Sequence, residues 1–556
     1  MKIEIKLICT ITALLLIASG TVAQKLPHLK KDNGGYTLIV ENKPFIMLAG
    51  ELHNSTGSSI EYMDGLWKQM ADLNLNTVLP TASWELIEPE EGKFNFDLVD
   101  AIIEGARKEN LKIALVWFGS WKNGESTYAP RWVKKNPKRF PRVKDAEGKT
   151  LEVLSAFSEA NLNADMKAYK ALLEHIKAVD YDHTVIMVQC ENEVGVFQSP
   201  RDYSSIAEKK WNGAVPADFI QYMQANEATL HSQLKQVWTE NGKKTKGTWE
   251  EVFGKSKTEG DYPYYTEQIF MSYYYAKYIN EITEAGKEIL DLPVFCNTWL
   301  RYSTDQMPGS FPSGGPNAEA FDAWKAAGKS IDFLAPDIYV DEFDSVCNAY
   351  YRKDNPLFIP ESGFGAVRAM YAIGEYDALG FSPFGIDGDA VEHSSETEVK
   401  RFVDAYQQMA NMDSLITANY GSDKMRGVFL DQNNPVQTLI MGNYEFKLLP
   451  TELRPQFDFV DDPRSQLSKK PFTAGGIIIQ TNDDEFYILG CGFKFEVKTK
   501  EGVKSEFAGV LSIDEGTFEN NKFIPERRRN GDSMTGLYPL MEKQKVKSLK
   551  VELYHF

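Results

Sequence analysis

"VIMVQCENEVGVF", Val185–Phe197, begins as an unbroken apolar run and ends on two glutamates bracketing an asparagine. Val185–Val188 lacks the polar alternation of a strand with one wet face, so it reads as a parallel strand covered on both sides. Glu191, Asn192 and Glu193 then stand where that strand ends, and barrels of parallel strands carry their chemistry at strand ends of this kind.

Similar runs recur along the chain. They are Phe45–Gly50, Asn76–Pro80, Lys112–Phe118, Thr184–Cys190, Pro293–Thr298, Asp332–Tyr339, Pro356–Glu361 and Ala378–Gly385. Between them lie stretches of helical period, among them Glu61–Leu73, Leu98–Glu109, Asp165–Ala178, Tyr264–Leu290 and Glu396–Ala410. Short buried strands alternating with amphipathic helices predict an α/β fold, a (β/α)8 TIM barrel, which needs about 250 residues before insertions. A doubly wound open sheet would carry a glycine-rich phosphate fingerprint after its first strand, and the sequence has none there. The polar, Lys/Gly-rich segment at about 199–263 reads as an insertion after the fourth strand. Beyond residue 415 helical period gives way to short β-rich runs with Gly, Asn and Asp turns, predicting a C-terminal all-β, sandwich-like domain. The expected domains are therefore a barrel over 24–415 and a β domain over 416–556.

Residues 1–23 stand apart. Lys2 and Lys6 precede a largely apolar Leu7–Ser19, and "TVAQ" offers cleavage after Ala23, the pattern of a secretory signal peptide. The expected product is periplasmic or secreted, with no membrane span after cleavage. The whole chain carries −18, and removing Lys2, Lys6 and Glu4 takes away a net +1, giving −19. Such a surface repels nucleic acid and favours a neutral substrate over a polyanion. Cys190, Cys296, Cys347 and Cys491 have no paired metal spacing and are expected to be buried thiols; the seven histidines form no HExxH. No metal and no cofactor are expected, and the sequence sets no oligomeric state.

The strand ends supply the candidate site. Glu51 and His53 stand at the end of the first run, Trp84 and Glu88 at the second, Trp117 and Trp121 at the third, and Glu193 at the fourth. Asn297 and Trp299 follow the fifth, Asp337 and Tyr339 the sixth, and Glu361 the seventh. The fourth and seventh strands of an eight-stranded barrel face each other, so Glu193 and Glu361 can converge on one pocket. Two carboxyl groups across a dry pocket suit glycosidic bond cleavage: one protonates the leaving oxygen while the other attacks or directs water. Separations of about 5–5.5 Å give retention and about 6.5–9.5 Å inversion. Trp84, Trp117, Trp121 and Trp299 are candidates for the aromatic platform on which a sugar ring stacks. Alternation along an extended chain would put Glu191 and Glu193 on one face and turn Asn192 away, with Glu191 a structural residue.

An Asn-Glu pair after the fourth strand and a glutamate ending the seventh resemble the retaining glycoside hydrolases of clan A. Within that clan, "VQCENEVG", "AGELHNS" and "WELIEPEEGKFNFD" resemble the corresponding segments of family 35 β-galactosidases. The resemblance spans roughly residues 44–365. It implies Glu193 as acid/base, Glu361 as nucleophile, Asn192 on the sugar 2-hydroxyl and Tyr339 as a donor to the nucleophile. Glu51, His53, Asn123, Trp121 and Trp299 are its further substrate-binding candidates. It implies a retaining exo-β-glycosidase acting on a carbohydrate, most simply a β-galactosidase. Alternatives are the same chemistry on a β-glucoside, α-L-arabinopyranoside or β-glucuronide, or a non-catalytic glycan-binding barrel. Val194 replaces the family's tyrosine, and Asn54-Ser55-Thr56 departs from its strand-1 motif; both changes bear on the sugar rather than on bond cleavage.

Overall fold

The computed structural model describes residues 25–32, 35–451, 472–505, 507–531 and 541–556, so the expected signal peptide lies outside the described residues. Parallel strands form one curled sheet from Gly380–Phe381 through Met47–Glu51, Thr77–Leu79, Lys112–Lys122, Val185–Asn192 and Val294–Trp299 to Phe333–Asp337. Thr81–Ser83 extends the second strand along the third. The seventh strand, residues 357–362, is held by isolated bridges: Ile338 pairs with Ser362 and Ile359 with Phe381. Pro356 and Pro360 explain its sparse ladder, because each removes a backbone donor. The bond from Ile338 N to Glu361 O (2.9 Å) and that from Ser382 N to Ile359 O (2.9 Å) close the barrel across this gap.

Buried alternation sorts the strand residues into two layers. Met47, Ala49, Ala114, Val116, Phe118, Phe295, Phe333, Ala335 and Phe358 fill the barrel interior, while Leu48, Ile113, Leu115, Val188, Cys296 and Leu334 face the surrounding helices. Leu38 and Val40, on an N-terminal antiparallel strand (Gly35–Val40), join the interior cluster. The strand ends where function was expected thus rise from a packed column rather than a pore. The helices Asp97–Lys108, Glu159–Val179, Tyr265–Lys287 and Glu396–Asn411 fall close to the periodic stretches of the sequence. Ser158 and Ser395 start two of them, their hydroxyls accepting Asn161 N–H and Glu398 N–H. Residues 199–263 carry four short helices.

The C-terminal part is rich in antiparallel strands, in a six-stranded and a three-stranded sheet. Their facing sides share a core of Val428, Leu439, Phe446, Ile478, Phe486 and Leu549. The other face of the larger sheet adjoins the barrel: Ile477 and Ile479 belong to the barrel's outer cluster, one residue either side of Ile478. Gly374, on the helix Ala366–Tyr376, allows this approach, since a Cβ there would meet Ile477 Cγ1 at 3.0 Å. The described cysteines Cys190, Cys296, Cys347 and Cys491 are all free and buried. Among the described residues no helix is long and apolar enough to cross a membrane.

Candidate active site

Strand four ends in an irregular backbone that decides where three side chains go. Glu191 and Glu193 both adopt left-handed φ, 64° and 44°. For non-glycine residues this conformation costs of order 1–3 kcal/mol and persists only where the surroundings impose it. Simple alternation therefore fails: Asn192 and Glu193 both reach the pocket, and Glu191 turns away from it. Glu191 accepts Ser120 N–H (3.0 Å) and Trp121 N–H (2.7 Å), tying strand four to strand three. Its partner behind the strands is Asp165, which also accepts Trp117 Nε1–H (3.1 Å), the Ser120 hydroxyl (2.5 Å) and the Tyr278 hydroxyl (3.2 Å). Burial, and then the Asp165 charge, raise the Glu191 carboxyl well above its usual range. A Glu191→Ala variant would orphan two buried backbone donors at about 1–3 kcal/mol each. Its thermal midpoint is expected to fall by several degrees; an unchanged midpoint would remove the structural role assigned to Glu191.

Glu361 accepts three hydrogen bonds: Asn192 Nδ2 (3.0 Å) and Asn297 Nδ2 (3.1 Å) on Oε1, and the Tyr339 hydroxyl (3.1 Å) on Oε2. Three donors on one carboxyl group match an acceptor-only nucleophile held in a fixed orientation. Asn192 is itself oriented by Lys122, whose ammonium donates to Oδ1 at 3.0 Å. Asn297 bridges the site, accepting Glu193 N–H (2.9 Å) and donating also to Asp337 Oδ2 (2.9 Å). Glu193 has a different setting. It is 5% exposed, and burial first, then the charge of Glu361, push its pKa up to about 8. One carboxylate oxygen from each of Glu193, Asp337 and Glu361 lies within 4.8 Å of the other two.

These carboxylates open onto a pocket of about 280 Å³ whose wall includes Asn54, Lys122, Asn123, Trp299, Tyr302 and Phe384. Several buried polar atoms in and beside it have no partner among the described residues: both Glu51 oxygens, Asn54 Oδ1, Asn123 Oδ1 and Asp337 Oδ1. Buried polar atoms are ordinarily hydrogen-bonded, so a cluster of orphans marks the place of a hydroxyl-rich ligand. Acceptors outnumber donors here, which suits a polyol and opposes an anion. The same acids could bridge a divalent cation. Burial holds Asp337 well above the usual carboxylate range, and Glu193 is raised too, a setting that favours proton transfer among the acids as they stand.

Of the sequence candidates, Glu193, Glu361, Asn192, Asn123, Trp299 and Tyr339 come together at this pocket. Glu51 lies close enough for Glu361 and then Lys122 to act on its charge. His53 stands at the rim, bonded to Asp387 (2.9 Å), with its ring edge-on to Phe384. Trp121 must be corrected. Its ring is buried against Tyr275 and Tyr278 and its Nε1 donates to Leu154 O, on the helix-facing side of strand three. Trp84 and Trp117 are likewise fully buried, leaving Trp299 as the one tryptophan of the four on the pocket wall. Lys122, Asn54 and Tyr302 were not among the candidates, and Asp337 was named at its strand end without a role. Lys122 lies past a register shift between strands three and four, so alternation counted from the interior Phe118 does not assign its face.

A TIM barrel with an Asn-Glu at the end of strand four and a second buried glutamate across from it defines a glycoside hydrolase of the clan A type. Residues 59–351, more than half of the chain, match the model of glycoside hydrolase family 42, described as beta-galactosidase, and the chain belongs to that family. The family found is 42 rather than the 35 that the short motifs resemble; both readings lie within clan A. Residues 402–538 match a domain of unknown function, DUF5597. A beta-galactosidase of Xanthomonas manihotis is 29% identical over 198 residues, which cover 34% of this chain and 30% of the relative. The chain thus matches about a third of that relative's length. Among solved structures, a beta-galactosidase from Bacillus circulans sp. alkalophilus has 17% identity and a TM-score of 0.46, covering 67% of this chain and 57% of that one. The beta-galactosidase of psychrophilic Marinomonas ef1 has 12% identity and a TM-score of 0.44, covering 66% and 60%.

Proposed function

We propose that this protein is a retaining exo-β-galactosidase that releases terminal β-galactose from oligo- or polysaccharides. One observation carries the reading: an oxygen of Glu193 lies within 4.8 Å of one of Glu361, with Glu193 raised by burial and Glu361 accepting three hydrogen bonds. A closest approach this short supports the tight pairing of a retaining site over the wider spacing of an inverting one. Glu361 attacks C1 from the α face as the bond to the leaving oxygen breaks, and Glu193 gives that oxygen its proton. The resulting ester between Glu361 and C1 is then hydrolysed by water, whose proton returns to Glu193. Asn192 and Asn297 hold the Glu361 oxygen Oε1, and Tyr339 holds the other, so little reorganisation precedes attack. A pocket of about 280 Å³, rather than an open groove, favours action on a chain end. We place the mature barrel and β domain at 24–415 and 416–556, working outside the cytoplasm after loss of residues 1–23.

Turnover of a panel of nitrophenyl glycosides, with the product anomer followed by NMR, tests this reading. The β-galactoside is expected to be cleaved with β-galactose released first. The β-glucuronide is expected to be cleaved at least 10²-fold less well, because its carboxylate would enter an acid-rich pocket and leave buried charge unpaired. Release of α-galactose would exclude the double displacement, preference for another glycoside would exclude galactose, and inertness towards the whole panel would leave a binding barrel.

A further inference from the structure

A larger cleft, about 530 Å³, lies between the barrel and the C-terminal domain, and nothing in the proposed reaction uses it. We propose that this cleft binds the body of the glycan chain whose terminal sugar occupies the carboxylate pocket, so that the C-terminal domain forms one wall of an extended polysaccharide site. The proposal rests on the galactosidase reading and deepens it.

Two loops connect the sites. Tyr339 lines the pocket and Asp341 the cleft; Glu361 lines the pocket and Gly363 the cleft. Two residues of extended chain reach about 7 Å, so the cleft begins within that distance along both loops. A chain leaving the pocket over the ends of strands six and seven therefore meets the cleft directly. The opposite wall comes from the C-terminal domain, through Phe429, Asp431, Gln432 and Asn433.

The lining specifies a neutral, hydroxyl-rich occupant. Arg368, Arg401 and Lys543 are balanced by Asp341, Glu398 and Asp431, so the cleft has no formal net charge in a chain carrying −18. A polyanion gains nothing there and a polycation nothing beyond the general field. Planar guanidinium and carboxylate groups can each bond two neighbouring hydroxyls. A second observation points to a ligand: Arg401 Nε is buried without a partner among the described residues, although its Nη2 donates to Thr473 O (3.4 Å) and Cys491 Sγ (2.9 Å). At Gly363 an added Cβ would have no heavy atom within 4 Å, so the connecting loop leaves open space on its surface.

The test is the length dependence of cleavage on β-1,4-linked galacto-oligosaccharides from dimer to hexamer, with nitrophenyl β-galactoside as the short reference. For the wild type, kcat/KM is expected to rise with length by about tenfold or more, because binding remote from the reacting bond lowers the barrier. Asn433→Trp, which blocks the cleft from the C-terminal side, is expected to flatten the rise and leave the reference substrate within about twofold, the range of a surface change far from the bond. Asn433→Ala should retain the rise in part. Flat length dependence in the wild type, or equal loss on long and short substrates in Asn433→Trp, would overturn the cleft assignment alone. No turnover of the reference by the wild type would instead overturn the galactosidase reading, and this inference with it.

Discussion

A Glu361→Gly variant is expected to turn over nitrophenyl β-galactoside on the order of 10⁵-fold more slowly than the wild type, since loss of a nucleophile removes the covalent route entirely. Azide should restore part of that rate. With the carboxylate gone, a small anion can enter beside Asn192 and Asn297, the donors that hold Oε1, and attack C1 from the face Glu361 used. The C1–oxygen bond breaks, a C1–nitrogen bond forms on the opposite face, and Glu193 gives its proton to the departing phenolate. The product must then be α-galactosyl azide. A β-azide would mean that the missing group was the acid/base, and the roles of Glu193 and Glu361 would have to be exchanged. A variant that keeps wild-type turnover would remove Glu361 from the chemistry altogether.

Both glutamates could be found from sequence for a physical reason. A strand buried on two faces is continuously apolar, so an acid at its end interrupts the run and marks where the barrel meets its pocket. The pattern also gave eight runs, including the seventh, which has almost no ladder because of its prolines but is still buried at Leu357, Phe358 and Ile359. Side-chain direction at the irregular ends was not legible. The left-handed backbone at Glu191 and Glu193 leaves no compositional trace, because it is imposed by Ser120, Trp121, Asp165 and Asn297, residues distant in sequence. Trp121 was misassigned for a related reason: aromatic residues near a sugar site suggest stacking, yet strand three shifts its register against strand four between Trp117 and Lys122, and the ring comes to lie towards the helices. Its neighbour Lys122 faces the pocket. An ammonium beside Glu51 and Glu193 offsets part of the repulsion among four converging acids, a need that appears only once the fold has assembled them. The contribution of the C-terminal domain was hidden as well, since the cleft it shares with the barrel is made of loops with no periodic signature.

Glu193→Gln should separate proton transfer from nucleophilic attack. Because burial and the Glu361 charge push Glu193 up to about 8, it keeps its proton at neutral pH and loses it as pH rises through that value. Wild-type activity is therefore expected to fall on the alkaline side near pH 8. The glutamine variant has nothing to titrate there, so its alkaline limb should vanish. For a galactoside with a poor leaving group, its rate should drop by about 10²–10⁴-fold, the usual contribution of a positioned general acid. A nitrophenyl leaving group needs less protonation and should lose less in the first step. Azide should then yield a β-galactosyl azide, by attacking the galactosyl ester of Glu361 from the side where Glu193 stood. Stability provides an independent sign. A carboxyl group whose folded pKa lies above its unfolded value contributes stability below the unfolded pKa, and that contribution is lost as pH rises through the folded one. At pH 9 the wild type must carry a buried Glu193 charge against Glu361, whereas the glutamine variant does not, so the variant should have the higher thermal midpoint there. An unchanged alkaline limb together with an unchanged midpoint would show that the proton comes from another acid, and Asp337, within 4.8 Å of both glutamates, would be the next group to replace.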